Sequence, residues 1–160
     1  MRRFPIRFIA LVVLVAATAA TASVWAAARS VDKGQSLSTS AAAALCKDAG
    51  QIAALNGEAS PSAIEAVTTT RNDAVHVAQG QGEDVLSKEP VYLVQMQGGF
   101  TGYEASVPAG TNLPKGAVMA FTVSVDSGAV LDWGIAAAPA DLSTLGPVSH
   151  PCAATQPAVR

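Results

Sequence analysis

Apolar and polar positions alternate most regularly between residues 91 and 136. Residues 91–97 place Tyr92, Val94 and Met96 on one face and Val91, Leu93, Gln95 and Gln97 on the other, the two-residue period of a strand. Gly98 and Gly99 are expected to bend that strand, and a second extended piece is expected over residues 100–107. Residues 108–116, with two prolines and two glycines, have the composition of a loop. Residues 117–125 and 129–136 are two β-rich runs around Asp126-Ser127-Gly128, the punctuation of a hairpin in which the glycine supplies a positive φ. Phe121, Val123 and Val125 are expected to share one face of that hairpin.

Upstream, residues 62–69 fit a strand by their Ile, Val and Thr content, or a helix opened by Ser60 and Pro61. The strand is preferred because a better helix start follows it. Thr70 and Asp73 are spaced as a capping pair ahead of Ala74, Val75, Val77 and Ala78, and Gly80 and Gly82 are expected to end that helix. Residues 29–59 are rich in Ser and Ala, with a short helix expected at about 40–54 that carries Leu45, Cys46, Ile52 and Leu55. From residue 137 onward four prolines disfavour regular structure. The fold class is therefore α+β, a small antiparallel sheet of three to four strands with one covering helix and flexible ends. The expected division is a leader (1–28), an N-terminal segment (29–59), a core domain (60–136) and a Pro/Ala-rich tail (137–160).

Composition changes this picture first at the amino end. Arg2, Arg3 and Arg7 lead into 21 uncharged, largely apolar residues, 8–28, the pattern of an export signal. Small residues at Ala17, Ala19, Ala20, Ala22, Ala26 and Ala28 offer cleavage sites, whereas Trp25 and the length of the run suit a retained signal anchor, a transmembrane helix at the membrane interface. Both readings put residues 29–160 outside the cytoplasm, secreted or at the cell surface. Without the leader, seven basic face twelve acidic side chains, a formal charge of −5. The remaining basic residues are scattered singly, which excludes a phosphate-binding face and makes nucleic acid a poor partner. Cys46 and Cys152 are the only cysteines, and an oxidising compartment lets them pair; one disulfide is expected, tying both ends to the domain.

The hairpin segment, residues 118–131, resembles the closing hairpin of PepSY-type domains, which are small exported α+β modules. Gly128, Val130 and Leu131 fit that pattern, while Ser124 and Ser127 stand where the family has Asp and Thr. The order of the helix after Thr70 and the strand from Val91 is also similar, so the likeness covers residues 70–135, and the whole chain looks like uncharacterised secreted actinobacterial proteins carrying such a module. The long loop between Glu104 and Gly116 departs from the compact family pattern. The resemblance implies a protein-interaction or peptidase-regulating role and carries over no catalytic residues.

The chain's own residues suggest no catalysis, metal or cofactor. His76 and His150 are 74 positions apart with no paired-histidine spacing, there is no Gly-x-Ser-x-Gly elbow, and Glu83, Asp84 and Glu89 lack the alternating ligands of a calcium loop. Alternation places Leu131 and Trp133 opposite Asp132, which is then expected on the solvent side. The aromatic residues Tyr92, Tyr103 and Trp133 form the candidate binding surface. The expected function is a noncatalytic binding or regulatory module, acting through its sheet face or the loop 104–116 on an extracellular or cell-surface protein. The alternative is a membrane-anchored structural envelope protein.

Overall fold

The structure is a computed structural model that describes residues 36–79 and 87–153. In chain order it contains α1 (Thr39–Leu55), β1 (Ser62–Thr70), α2 (Arg71–Gln79), β2 (Pro90–Thr101), β3 (Lys115–Ser124) and β4 (Val130–Ala136), then a short 3₁₀ turn, Leu142–Thr144. The four strands form one antiparallel sheet in the order β1-β2-β3-β4. The class is α+β, as the alternation and turn signals indicate.

The alternation in β2 sorts the core into two layers. Val94, Met96, Met119, Phe121 and Val123 fill one side of the sheet, and Val67, Val91, Leu93 and Ala120 fill the other. Phe121 and Val123 share a face as expected. Val125 lies past the end of β3, half-buried, and its amide donates to the Pro90 carbonyl (3.0 Å).

α1 covers the first side. Ser38 caps it, its hydroxyl accepting from the Ala41 amide (3.2 Å), and Ala42, Leu45, Ala49 and Ala53 recur at three- and four-residue intervals to make the buried stripe. Three of those four residues are alanine, so the helix approaches the sheet closely. Leu55, the last residue of the helix, is 61% exposed, because it falls off that stripe. α1 lies before the expected start of the core domain, yet it supplies Leu45, Ala49 and Ala53 to the core.

α2 covers part of the second side through Ala74 and Val75, with Val77 and Ala78 packed alongside. Its start is the one the spacing indicates, with the Asp73 amide donating to Thr70 Oγ1 (3.3 Å). Gly80, Gly82, Glu83 and Asp84 lie outside the described residues, as does the leader. The rest of this side is covered by the segment after β4. There the side chain of Gln95, 3% exposed, exchanges two hydrogen bonds with the Ala140 backbone (2.8 and 3.2 Å), and Leu142, Leu145 and Val148 pack against the sheet. The four prolines preclude a long helix or strand, but not packing.

That segment then turns over the outer edge of β1. Ala66 and Ser149 exchange two backbone hydrogen bonds (both 2.8 Å), and Cys152 reaches α1 to form the expected disulfide with Cys46, the Cα atoms 5.1 Å apart.

Two departures concern β2 and β4. The pair Gly98-Gly99 does bend β2, as a bulge between Gln97 and Phe100, but pairing resumes at Phe100↔Gly116 and Thr101↔Lys115. The separate strand expected over residues 100–107 is therefore reduced to two residues of β2. The Tyr103 amide donates to the Thr101 carbonyl (2.9 Å) and the Ala105 amide to the Gly102 carbonyl (3.2 Å), which turns the chain out of the sheet. In the β3–β4 hairpin Gly128 has φ +70°, as the turn requires, but the register slips between Thr122 and Val123, so that Leu131 is an extra residue on β4. Leu131 and Trp133 consequently pack in opposite layers instead of sharing one.

Candidate functional site

With α1 on one face of the sheet and α2 plus the later segment on the other, neither face is a free binding surface. An open concavity lies at the end of the sheet where β2 runs out and β3 begins. Thr101, Tyr103, Thr111, Asn112, Leu113 and Lys115 line an open trough of about 690 Å³ there. A second, shallower depression of about 480 Å³ over Gly98, Gly99, Phe100, Gly116 and Ala117 adjoins it, sharing Thr101 and Lys115.

The local sequence explains the trough. After the turn at residues 102–105 the chain loops out, and Thr111 Oγ1 and its amide both bond to the Pro108 carbonyl (2.7 and 3.1 Å) to hold a compact turn. The chain returns through Pro114, whose carbonyl accepts from the Gly102 amide (2.9 Å) and closes the base of the loop. Tyr103 stands on one wall. It is 60% exposed, with its ring resting over the Gly57 backbone just after α1. Lys115 is exposed on the other wall and Leu113 is half-buried, so the trough offers a phenol ring, an ammonium group, two threonine hydroxyls and a carboxamide.

The segment after α1 is fastened to the same end of the sheet. Asn56 donates from Nδ2 to the Ile52 carbonyl (2.9 Å), and its own carbonyl accepts from the Thr101 amide (2.9 Å). The Glu58 carboxylate accepts from the Gly99 amide (2.8 Å) and the Ser60 amide (2.8 Å). Those backbone donors hold the Glu58 carboxyl below the usual carboxylate range. The bulge is thereby tied to the end of α1, and the floor beside the trough is a fixed surface.

The candidate aromatic residues do not converge. Tyr92 and Trp133 are half-buried and pack against the layer under α1, whereas Tyr103 lies at the opposite end of β2 from Tyr92, about 30 Å away by strand rise. Asp132 is not on the solvent side. It faces away from Trp133, as alternation indicates, but α2 covers that side, and the carboxylate accepts from Arg71 Nε (2.8 Å) and Nη2 (2.7 Å) and from Thr122 Oγ1 (2.9 Å). The guanidinium, foremost among these donors, holds the Asp132 carboxyl below its ordinary value. Arg71 and Asp132 are 61 residues apart, and no sequence spacing announces them. This is a tie between α2 and β4, with Val75, Ala78 and Gly134 beside it around a crevice of about 10 Å³, too small for a ligand.

His76 and His150 are both exposed, on α2 and on the segment beyond the 3₁₀ turn. Among the described residues no group of three or more His, Cys, Asp or Glu side chains could hold a metal ion, and no helix is long and apolar enough to cross a membrane. Compared with protein families, with curated proteins and with solved structures, the chain matches none of them.

Proposed function

We propose that this chain is an extracytoplasmic, noncatalytic binding module that engages an extracellular or cell-surface protein through the trough between Tyr103 and Lys115. The observation that carries this reading is the exposure of Tyr103. A tyrosine ring left 60% open in a domain with so few aromatic residues is available to anchor a partner. The disulfide is compatible with an oxidising compartment, and the basic, apolar leader supports export. The likeness of the β3–β4 hairpin to PepSY-type modules favours a peptidase or its regulator as the partner.

The test is a crosslinked pull-down on native cell surfaces with the intact chain as bait, beside a Tyr103→Ala, Lys115→Glu variant. Both substituted positions are exposed, so the variant is expected to keep the wild-type unfolding midpoint. One surface protein enriched by the wild type and lost at least tenfold with the variant is the expected result. Equal enrichment by both would remove the trough from the function.

A further inference from the structure

The residues that line the trough include no carboxylate, although the exported chain carries more acidic than basic side chains. Lys115 is exposed, and among the described residues its ammonium group has neither an ion pair nor a hydrogen bond. Two carboxylates lie nearby and neither neutralises it. Glu58 is held by the Gly99 and Ser60 amides beside the trough, and Glu104 is exposed next to Tyr103 but is not part of the lining. Asn112 Nδ2, the Thr101 hydroxyl and the Tyr103 phenol add further donors, whereas the Thr111 hydroxyl directs its proton to the Pro108 carbonyl and offers only an acceptor.

The backbone of the Lys115 wall is open as well. Residues 111–114 belong to no helix or strand, and among the described residues the amides of Asn112 and Leu113 donate to no protein group. Pro114 disfavours the helical region at Leu113, and β3 begins directly after it. Leu113 and Lys115, two residues apart, both line the trough, a half-buried apolar side chain beside an exposed cation.

We infer that the partner enters the trough as an extended segment carrying an acidic side chain two residues from an apolar one. The acidic group meets the Lys115 ammonium, and the apolar one rests on Leu113 and the Tyr103 ring. The free amides of residues 112 and 113 pair with the segment's backbone, a mode in which main-chain bonds give affinity and alternate side chains give specificity. This specificity presupposes that the trough is the binding site, as proposed above, and defines what it selects.

The intact chain is tested by fluorescence anisotropy against five-residue peptides labelled with a neutral dye, acetylated and amidated so that no terminal charge contributes. Thr-Glu-Thr-Leu-Thr and its reverse are compared with the same peptides bearing Gln or Lys in place of Glu, or Thr in place of Leu. In at least one order the Glu peptide is expected to bind about threefold or more tightly than its Gln counterpart, as an exposed pair permits, and more tightly than the peptide lacking Leu. The preference for Glu should shrink in about 1 M salt. Lys115→Glu is expected to turn the preference towards the Lys peptide and Lys115→Gln to erase it, and at this exposed position both variants should keep the wild-type unfolding midpoint. Equal binding of the Glu, Gln and Lys peptides would overturn the acidic preference; if that binding is lost with Tyr103→Ala, the trough remains the site. A Glu preference untouched by Lys115→Glu, or no peptide bound up to about 10 mM, beyond the range of weak complexes, would overturn it too, and the pull-down then decides separately whether the trough binds a protein.

Discussion

Thr69 and Asp132 show how differently two polar side chains are accommodated in the same sheet. The Thr69 hydroxyl is enclosed and has no hydrogen-bond partner among the described residues. Burying it forfeits its hydration with nothing in return, so Thr69→Val is expected to raise stability by about 1 kcal/mol. A rise in the denaturant midpoint with an unchanged m-value would show it. Asp132, by contrast, is paired on both oxygens. Asp132→Asn removes a charge-assisted pair whose members are still 28% and 21% exposed, so the expected loss is about 1–2 kcal/mol, less than for an enclosed pair. Because the folded carboxyl titrates below its unfolded value, the folded state binds fewer protons between the two. The pair's contribution is complete above the unfolded value, near pH 4, and fades as pH falls through the folded one. The stability gap between wild type and Asp132→Asn, measured from pH 7 down to pH 2, is therefore expected to stay level and then close. Alternation read Asp132's direction correctly, but what stands over a strand comes from another element, and Arg71 cannot be inferred from the neighbours of Asp132.

Among the elements, those set by local chemistry were legible and those set by distant packing were not. β1 and α2 follow from Thr70 and Asp73, and the hairpin turn follows from Gly128. The slip that displaces Leu131 depends on how β4 meets β3 across ten residues, which no pattern within β4 reveals. Gly116 belongs to this class as well. A Cβ there would collide with the backbone carbonyl of Ala136 and sit 2.6 Å from the Ile135 side chain, neither of which can retreat without opening β3 from β4. Gly116→Ala is expected to cost about 2–3 kcal/mol. The loss should appear both in denaturant unfolding and as faster amide exchange at the Ala136 end of β4. The trough is legible to a similar degree. Its loop is announced by Pro108, Gly110 and Pro114, whereas the contributions of Thr101 and Lys115 arise only because the bulge at Gly98-Gly99 returns both strands to register beside it.

For the molecule as a whole, the disulfide was readable from the cysteine count, but the path that connects it was not. The alanine-rich stripe of α1 is too weakly apolar, and Leu142, Leu145 and Val148 are too irregularly spaced among prolines, to mark either segment as core. The bond closes a loop spanning 106 residues. By the chain-entropy argument, Cys46→Ser with Cys152→Ser is expected to lower stability by about 4–5 kcal/mol. Calorimetry of the intact and substituted chains measures the difference, and thiol labelling without reductant should leave both wild-type cysteines untouched.

The same closure determines how the domain carries mechanical load. Chain enters the ring at Cys46 and leaves it at Cys152, two positions whose Cα atoms are 5.1 Å apart. Tension applied between the two ends of the polypeptide therefore passes from one sulfur to the other and bypasses the sheet, so the four strands are shielded from shear for as long as the bond is oxidised. Once the bond is reduced, the same tension would load the packing of α1 on the sheet and the Ala66–Ser149 contact instead.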